Sequence, residues 1–185
     1  MRNKSKKQLF STAIIIAAFS TLISLTPICN KTLPAGQAVE VQAATTGENN
    51  ALARAKSYLE TMPFSKKCLI KQLKYEGYTS KEAKYAASKC GANWKNQAVA
   101  KAKTYLSTMP FSKKGLIKQL KYDGYTDTEA KYGVSKCKAN WKEQAVKKAK
   151  SYLSTMSFSK QSLINQLKYD GFTDKEAKYA VKKAY

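Results

Sequence analysis

The sequence predicts an all-α protein of three tandem three-helix, helix-turn-helix-like repeats of 47 residues, placed after an N-terminal signal peptide. Two observations carry this reading. Ala55-Lys56-Ser57-Tyr58-Leu59 returns as Ala102-Lys103-Thr104-Tyr105-Leu106 and again as Ala149-Lys150-Ser151-Tyr152-Leu153, and self-similarity at a fixed period marks a repeat architecture. The same offset carries Met62, Phe64, Ser65, Leu69, Gln72, Leu73, Tyr75, Gly77, Thr79, Glu82, Ala83 and Tyr85 onto identical residues in both later copies. Within each copy, apolar residues recur at helical spacing between cap and stop signals.

The first 43 residues precede the fold. Arg2, Lys4, Lys6 and Lys7 lead into an uncharged stretch from Gln8 to Asn30 rich in Ile, Ala, Leu and Phe, the charged and apolar regions of an export signal. Val41-Gln42-Ala43 fits the small-residue rule for signal peptidase, so cleavage is expected between Ala43 and Ala44. Two alternatives stand beside it. Cys29 is a candidate lipidation site, although Pro27 and Ile28 occupy positions where a lipobox needs small residues. The uncharged stretch is also long enough to serve as an uncleaved membrane anchor. Residues 44–46 form a short segment before the repeats at 47–93, 94–140 and 141–185.

The second copy shows the punctuation most fully. Asn93 caps a helix starting at Trp94, along which Trp94, Ala98, Ala102, Tyr105, Leu106 and Met109 form one apolar stripe. Pro110 stops it, lacking an N–H and disfavouring helical geometry in the residue before. Ser112 caps a second helix with Leu116, Ile117 and Leu120 on one face, and Gly124 ends it. Thr126 and Glu129 form a capping box for a third helix that buries Ala130, Val134 and Cys137. Asn140 and Glu143 read as another box opening the next copy. The short junctions, without Gly/Ser or Pro-rich linkers, predict a semi-rigid array. A unit this small is expected to gain stability from its neighbours, through Trp94 and Trp141.

Composition narrows the chemistry. The 185 residues include 34 Lys plus Arg against 12 Asp plus Glu, a formal charge of +22, with 12 Tyr and no His. After residue 43 there remain 29 basic and 11 acidic residues, a net +18. Without His the commonest general base and metal ligand is missing, and no metal, cofactor or catalytic centre is expected. Glu82, Glu129 and Glu176 are accounted for by capping. Glu76, Asp123 and Asp170 sit at a helix C-terminus, the unfavourable end of the dipole for an anion, and are expected to pair with a nearby Lys. Cys90 and Cys137 occupy one apolar position and read as small buried residues. Cys68 and Cys90 are a candidate disulfide should the second and third helices run antiparallel.

The basic residues are the candidate site. Lys67, Lys71 and Lys74 lie at i, i+4 and i+7 of the second helix, opposite Leu69, Ile70 and Leu73. Lys114, Lys118 and Lys121 repeat the stripe, which thins in the third copy to Gln161, Asn165 and Lys168. Tyr75, Tyr78, Tyr122 and Tyr125 flank it at the helix end. Such a stripe is either a solvated face or a strip for an anionic partner: a wall polymer such as teichoic acid, a lipid surface, nucleic acid or an acidic protein. Lys rather than Arg favours a diffuse polyanion over bidentate phosphate or base recognition. Export argues against a gene-regulatory role for the helix-turn-helix pattern.

The steps Ala55 to Leu59, Met62-Pro63-Phe64-Ser65-Lys66, Leu69 to Tyr75, Glu76-Gly77-Tyr78-Thr79 and Glu82 to Ala86 resemble the repeat of the host cell surface-exposed lipoprotein, or Ltp, family. The resemblance covers nearly all of the chain after Gly47. It implies tandem helical modules displayed outside Gram-positive cells, and for some members the blocking of DNA injection by a second phage through contact with its injection machinery. It implies no catalytic residues. The leading expectation is a non-enzymatic surface binding protein in superinfection exclusion; the alternatives are a module holding anionic wall polymer and a cationic membrane-active protein. N-terminal sequencing of the exported protein is expected to begin at Ala44; a start at Cys29, or an unprocessed chain, would select one of the two alternatives.

Overall fold

The computed structural model describes residues 43–185, which form one unit; Cys29 and all but the last residue of the expected signal peptide lie outside them. Ala43 is exposed and in no regular structure, and Thr45, two residues on, caps the first helix. Nine helices and no strand follow among the described residues: α1 Thr46–Thr61, α2 Lys66–Tyr75, α3 Ser80–Lys89, α4 Trp94–Thr108, α5 Lys113–Tyr122, α6 Asp127–Lys136, α7 Trp141–Leu153, α8 Lys160–Tyr169 and α9 Asp174–Ala184. Each consecutive trio is one repeat.

Local chemistry explains the boundaries. Thr45, Thr79, Thr126 and Thr173 each close a capping box with a Glu three residues on, so two orphan amides are satisfied at once. The box expected at Asn140 forms only half. Its side chain accepts from the Glu143 amide at 3.3 Å, but at ψ 100°, against 159–161° in the Thr caps of α3, α6 and α9, its own N–H turns away from the Glu carboxylate. Met109 also departs from expectation. Pro110 forces it into extended geometry at φ −153°, α4 ends at Thr108, and the Met109 side chain leaves the apolar stripe to stand half-exposed.

The turn between the second and third helices is a Schellman motif in every copy. In the second, the Gly124 amide donates to the Lys121 carbonyl at 3.0 Å and the Tyr125 amide to the Leu120 carbonyl at 3.1 Å. Gly124 stands at φ +85°, where a side chain would be strained.

Every repeat closes a core of its own. Leu69 and Leu73 of α2 meet Ala51 and Ala55 of α1 and Ala83, Ala86 and Ala87 of α3. Leu116 and Leu120 do the same with Ala98, Ala102, Ala130 and Val134, and Leu163 and Leu167 with Ala145, Ala149, Ala177 and Val181. Small alanines on the outer pair let α1 and α3, α4 and α6, and α7 and α9 lie close. The expected contribution of neighbours is therefore confined to a few contacts. Trp94, the first residue of α4, packs on the core of the first repeat, and Trp141 on that of the second.

Polar contacts also cross the boundaries between repeats. Ser65 Oγ accepts from the Cys68 amide of its own helix and donates to the Asp123 carbonyl of the next repeat at 2.6 Å. Ser112 repeats this with the Gly115 amide and the Asp170 carbonyl, again at 2.6 Å. The Phe64 and Phe111 amides donate across the same boundaries to Gln97 and Gln144.

The two junctions differ at one position. The segment between the first and second repeats carries Gly91 at φ +73°, whereas the equivalent between the second and third is Lys138 at φ +58°. A left-handed lysine costs about 1 kcal/mol that glycine avoids. Lys138→Gly is thus expected to stabilise the protein by somewhat under about 1 kcal/mol after the entropy of the glycine is counted, read as a raised thermal midpoint; an unchanged or lowered midpoint would contradict this account.

Candidate binding surface

The lysine stripe is built on α2, α5 and α8, and the serine latches set how these helices meet. Ser65 at the N-terminus of α2 touches the carbonyl at the C-terminus of α5, and Ser112 at the N-terminus of α5 touches that of α8. The three helices are therefore joined end to end in the spatial order α2, α5, α8, with their dipoles head to tail. Glycine makes the approach possible: a Cβ on Gly124 would meet Ser65 Oγ at 3.0 Å and Lys67 Cβ at 3.1 Å, and one on Gly171 would meet Ser112 Oγ at 3.0 Å and Lys114 Cβ at 3.1 Å. Lys67 thus lies over the end of α5, and Lys114 over the end of α8.

The stripes of separate copies therefore follow one another end to end, in the order Lys74, Lys71, Lys67, then Lys121, Lys118, Lys114, then Lys168. All seven lysines are exposed. Two are tied down: Lys121 pairs with Asp127 at 3.0 Å and Lys168 with Asp174 at 3.3 Å. Those carboxyls are held below their ordinary pKa by hydrogen bonds, first from Lys131 and Lys178 on the third helices and then from Lys121 and Lys168. Lys74 lacks this partner because Ser80 stands at the equivalent position.

The tyrosines divide. Tyr75 and Tyr122 are 89% and 88% exposed at the ends of α2 and α5. Tyr169, at the end of α8, is equally exposed and belongs with them; the 47-residue offset from Tyr122 marks it, and the thinning of the lysine stripe in the third copy hid it. Tyr125 is not part of the surface. It follows the Schellman glycine, where a hydrophobic residue folds back on the helix, and it is buried with its hydroxyl donating to the Gln97 carbonyl at 3.3 Å. Tyr78 at the same position of the first copy is half-buried.

The acidic residues at these helix ends have structural partners. Asp123 accepts from the Tyr105 hydroxyl at 2.7 Å and from Gln119 at 3.2 Å. Asp170 accepts from Tyr152 and Gln166 in the same way. In the first copy Arg54 replaces a lysine and reaches Glu76 with two nitrogens, at 2.8 and 3.3 Å. A cation lies over the ring of the tyrosine each time: Arg54 over Tyr58, Lys101 over Tyr105 and Lys148 over Tyr152.

The Cys68–Cys90 disulfide weighed from the sequence is not formed. Cys68 Sγ donates to the Asp123 carbonyl at the repeat boundary, and Cys90 Sγ to Ala87 within α3, so the two thiols serve different contacts and both are free. Cys137 is free and buried. Among the described residues no cluster of His, Cys, Asp or Glu has a metal-binding arrangement, and no helix is long and apolar enough to cross a membrane.

Fold and surface together define an all-α tandem-repeat protein whose outward chemistry is a basic, tyrosine-studded line. The family described as host cell surface-exposed lipoprotein matches residues 47–89, 93–136 and 140–183, and the chain belongs to this Ltp family. The chain is similar to the solved structure of Ltp, a superinfection exclusion protein from the Streptococcus thermophilus temperate phage TP-J34. Identity is 39%, over 49% of this chain and 95% of that one, with a TM-score of 0.47. No match is found among curated proteins.

The tyrosine–aspartate contact yields a pH dependence. Burial, followed by the hydrogen bond to Asp123, raises the Tyr105 hydroxyl to about 12, above the ordinary tyrosine value of about 10. A folded value above the unfolded one means that this contribution is intact below the unfolded pKa and is lost as pH rises through the folded one. Stability is expected to fall between about pH 10 and 12, and Tyr105→Phe to be less stable at pH 7 by about 1 kcal/mol while losing less across that window. Denaturant melts of both proteins at the two pH values check it.

Proposed function

We propose that this chain is a non-enzymatic binding protein displayed on the outer side of a Gram-positive-type cell, and that it acts in superinfection exclusion by stopping DNA entry from a second phage through contact with a protein of the incoming particle. The observation that supports the reading most directly is membership, by three in-register copies, of a family of surface-exposed proteins. The role is that of the phage TP-J34 protein, carried over as the content of the proposal.

The geometry gives the reading a physical form. Three repeats hold matching exposed groups in one register, so a partner with repeated or extended binding elements engages several weak sites at once and gains effective concentration without any new contact. Independent cores let each repeat keep its surface in shape while polar latches hold the spacing. The hydrogen bonds of Glu76, Asp123 and Asp170 to tyrosine, glutamine or arginine support a structural reading of these carboxylates.

A susceptible host expressing the full chain is expected to adsorb phage normally while phage DNA fails to enter. Scoring adsorption and DNA entry separately tests this. Unimpaired entry across a broad phage panel, with the protein confirmed on the surface, would overturn the exclusion role.

A further inference from the structure

The end-to-end contacts of α2 with α5 and of α5 with α8 place Lys67 at the end of α5 and Lys114 at the end of α8, so the three basic stripes follow one another from repeat to repeat as a basic line. Along it, Lys67, Lys71, Lys74, Lys114 and Lys118 make no ion pair among the described residues. They follow one another at about 4.5–6 Å within each helix, each helix being about 15 Å long. Beside them Tyr75, Tyr122 and Tyr169 leave nearly nine-tenths of their surface to solvent. No other large apolar or aromatic side chain among the described residues is as exposed; Met156 and Tyr185 come next at 54%.

We infer that this line holds a single-chain phosphodiester polymer of the bacterial wall, of the poly(glycerol phosphate) type, laid lengthwise across α2, α5 and α8. Charge complementarity selects an anion, and the spacing of the point charges along successive helices selects a linear one. Lysine ammoniums lack the planar fork that reads a phosphate in a fixed orientation, which suits a flexible chain whose phosphates turn freely. A ladder one side chain wide matches a single chain better than a DNA duplex, whose charges recur every ~1.7 Å of axis over two strands. The exposed tyrosine rings supply flat apolar faces, with a hydroxyl at the edge, for the polyol or sugar between phosphates.

The inference goes beyond phage exclusion and shares with it only an extracytoplasmic setting. Attachment through this face would retain the protein in the wall whether or not a lipid or an uncleaved anchor also does so.

The test is titration of the purified protein with poly(glycerol phosphate) over a salt series. Binding is expected to weaken steeply with salt, as release of counterions from several phosphates requires. Changing Lys67, Lys71, Lys114 and Lys118 together to Glu is expected to weaken binding by about a hundredfold or more. The same charge change at Lys84, Lys89, Lys136 and Lys183, exposed on the third helices, is expected to weaken it by less than about tenfold, because salt screens the attraction of charges that do not contact the polymer. A parallel set of Lys→Gln changes, with helicity checked by circular dichroism, separates lost binding from lost folding. Equal losses in the two Glu sets would overturn the proposal, as would absence of binding or tighter binding of a DNA duplex at equal phosphate. The DNA-entry assay on the same variants keeps the two readings apart: a variant that releases the polymer yet still blocks entry leaves exclusion standing and confirms a separate role for the line.

Discussion

The arrangement of this protein depends on one hydroxyl used twice. At Ser65 and Ser112 the oxygen accepts from an amide in the first turn of its own helix, a duty any N-cap serine performs, and its proton goes to a carbonyl at the end of the second helix of the next repeat. That carbonyl belongs to Asp123 or Asp170, whose side chain is meanwhile held by tyrosine and glutamine within its own repeat. One residue thus fixes the internal geometry with its carboxylate and the neighbour's position with its backbone. The latch is small beside the three cores, yet it is what sets the second helices end to end.

Cores and latches divide the work. Leucine and alanine burial makes each repeat a closed unit, and the hydrophobic effect, being non-directional, specifies little about how units meet. Hydrogen bonds are directional, and several of them cross each boundary between repeats. Trp94 and Trp141 add the apolar part, each reaching back from the start of a repeat onto the core before it. The result is an array in which polar atoms help set spacing and register, and in which the glycines at the latch must stay without a side chain.

Much of this was legible in the residues. The 47-residue offset, the Thr-to-Glu boxes, the Pro110 stop and the turn glycines place the helices because each signal acts within a few residues of the element it bounds. The side-by-side alanines and leucines marked the core for the same reason. What escaped is long-range. Ser65 reads as an ordinary cap, and nothing local says that its proton goes 58 residues away. Tyr125 looked like a companion of Tyr122, but the turn that follows the helix folds the one inward and leaves the other out. Cys68 and Cys90 lie at comparable distances from the turn, yet the partner of Cys68 is a carbonyl of the next repeat. The stripe of lysines was visible copy by copy; its continuity was not, because it belongs to the junctions.

The two ends of the array show what an interior junction is not. In the third repeat Ser159 instead donates to Ser162. Gly77 has no neighbour within 4 Å of a Cβ among the described residues, where Gly124 and Gly171 meet a serine and a lysine of the preceding repeat. Tyr185 covers the third repeat with its hydroxyl donating to the Phe158 carbonyl. The second repeat carries both halves of a junction, the Ser112 donor and the Asp123 carbonyl acceptor. Such a chain grows or shrinks most easily in whole modules: an internal duplication inserts a new donor, a new acceptor and a new set of lysines already in register, so the reach of the surface is a property that recombination can change in one step without redesigning any fold.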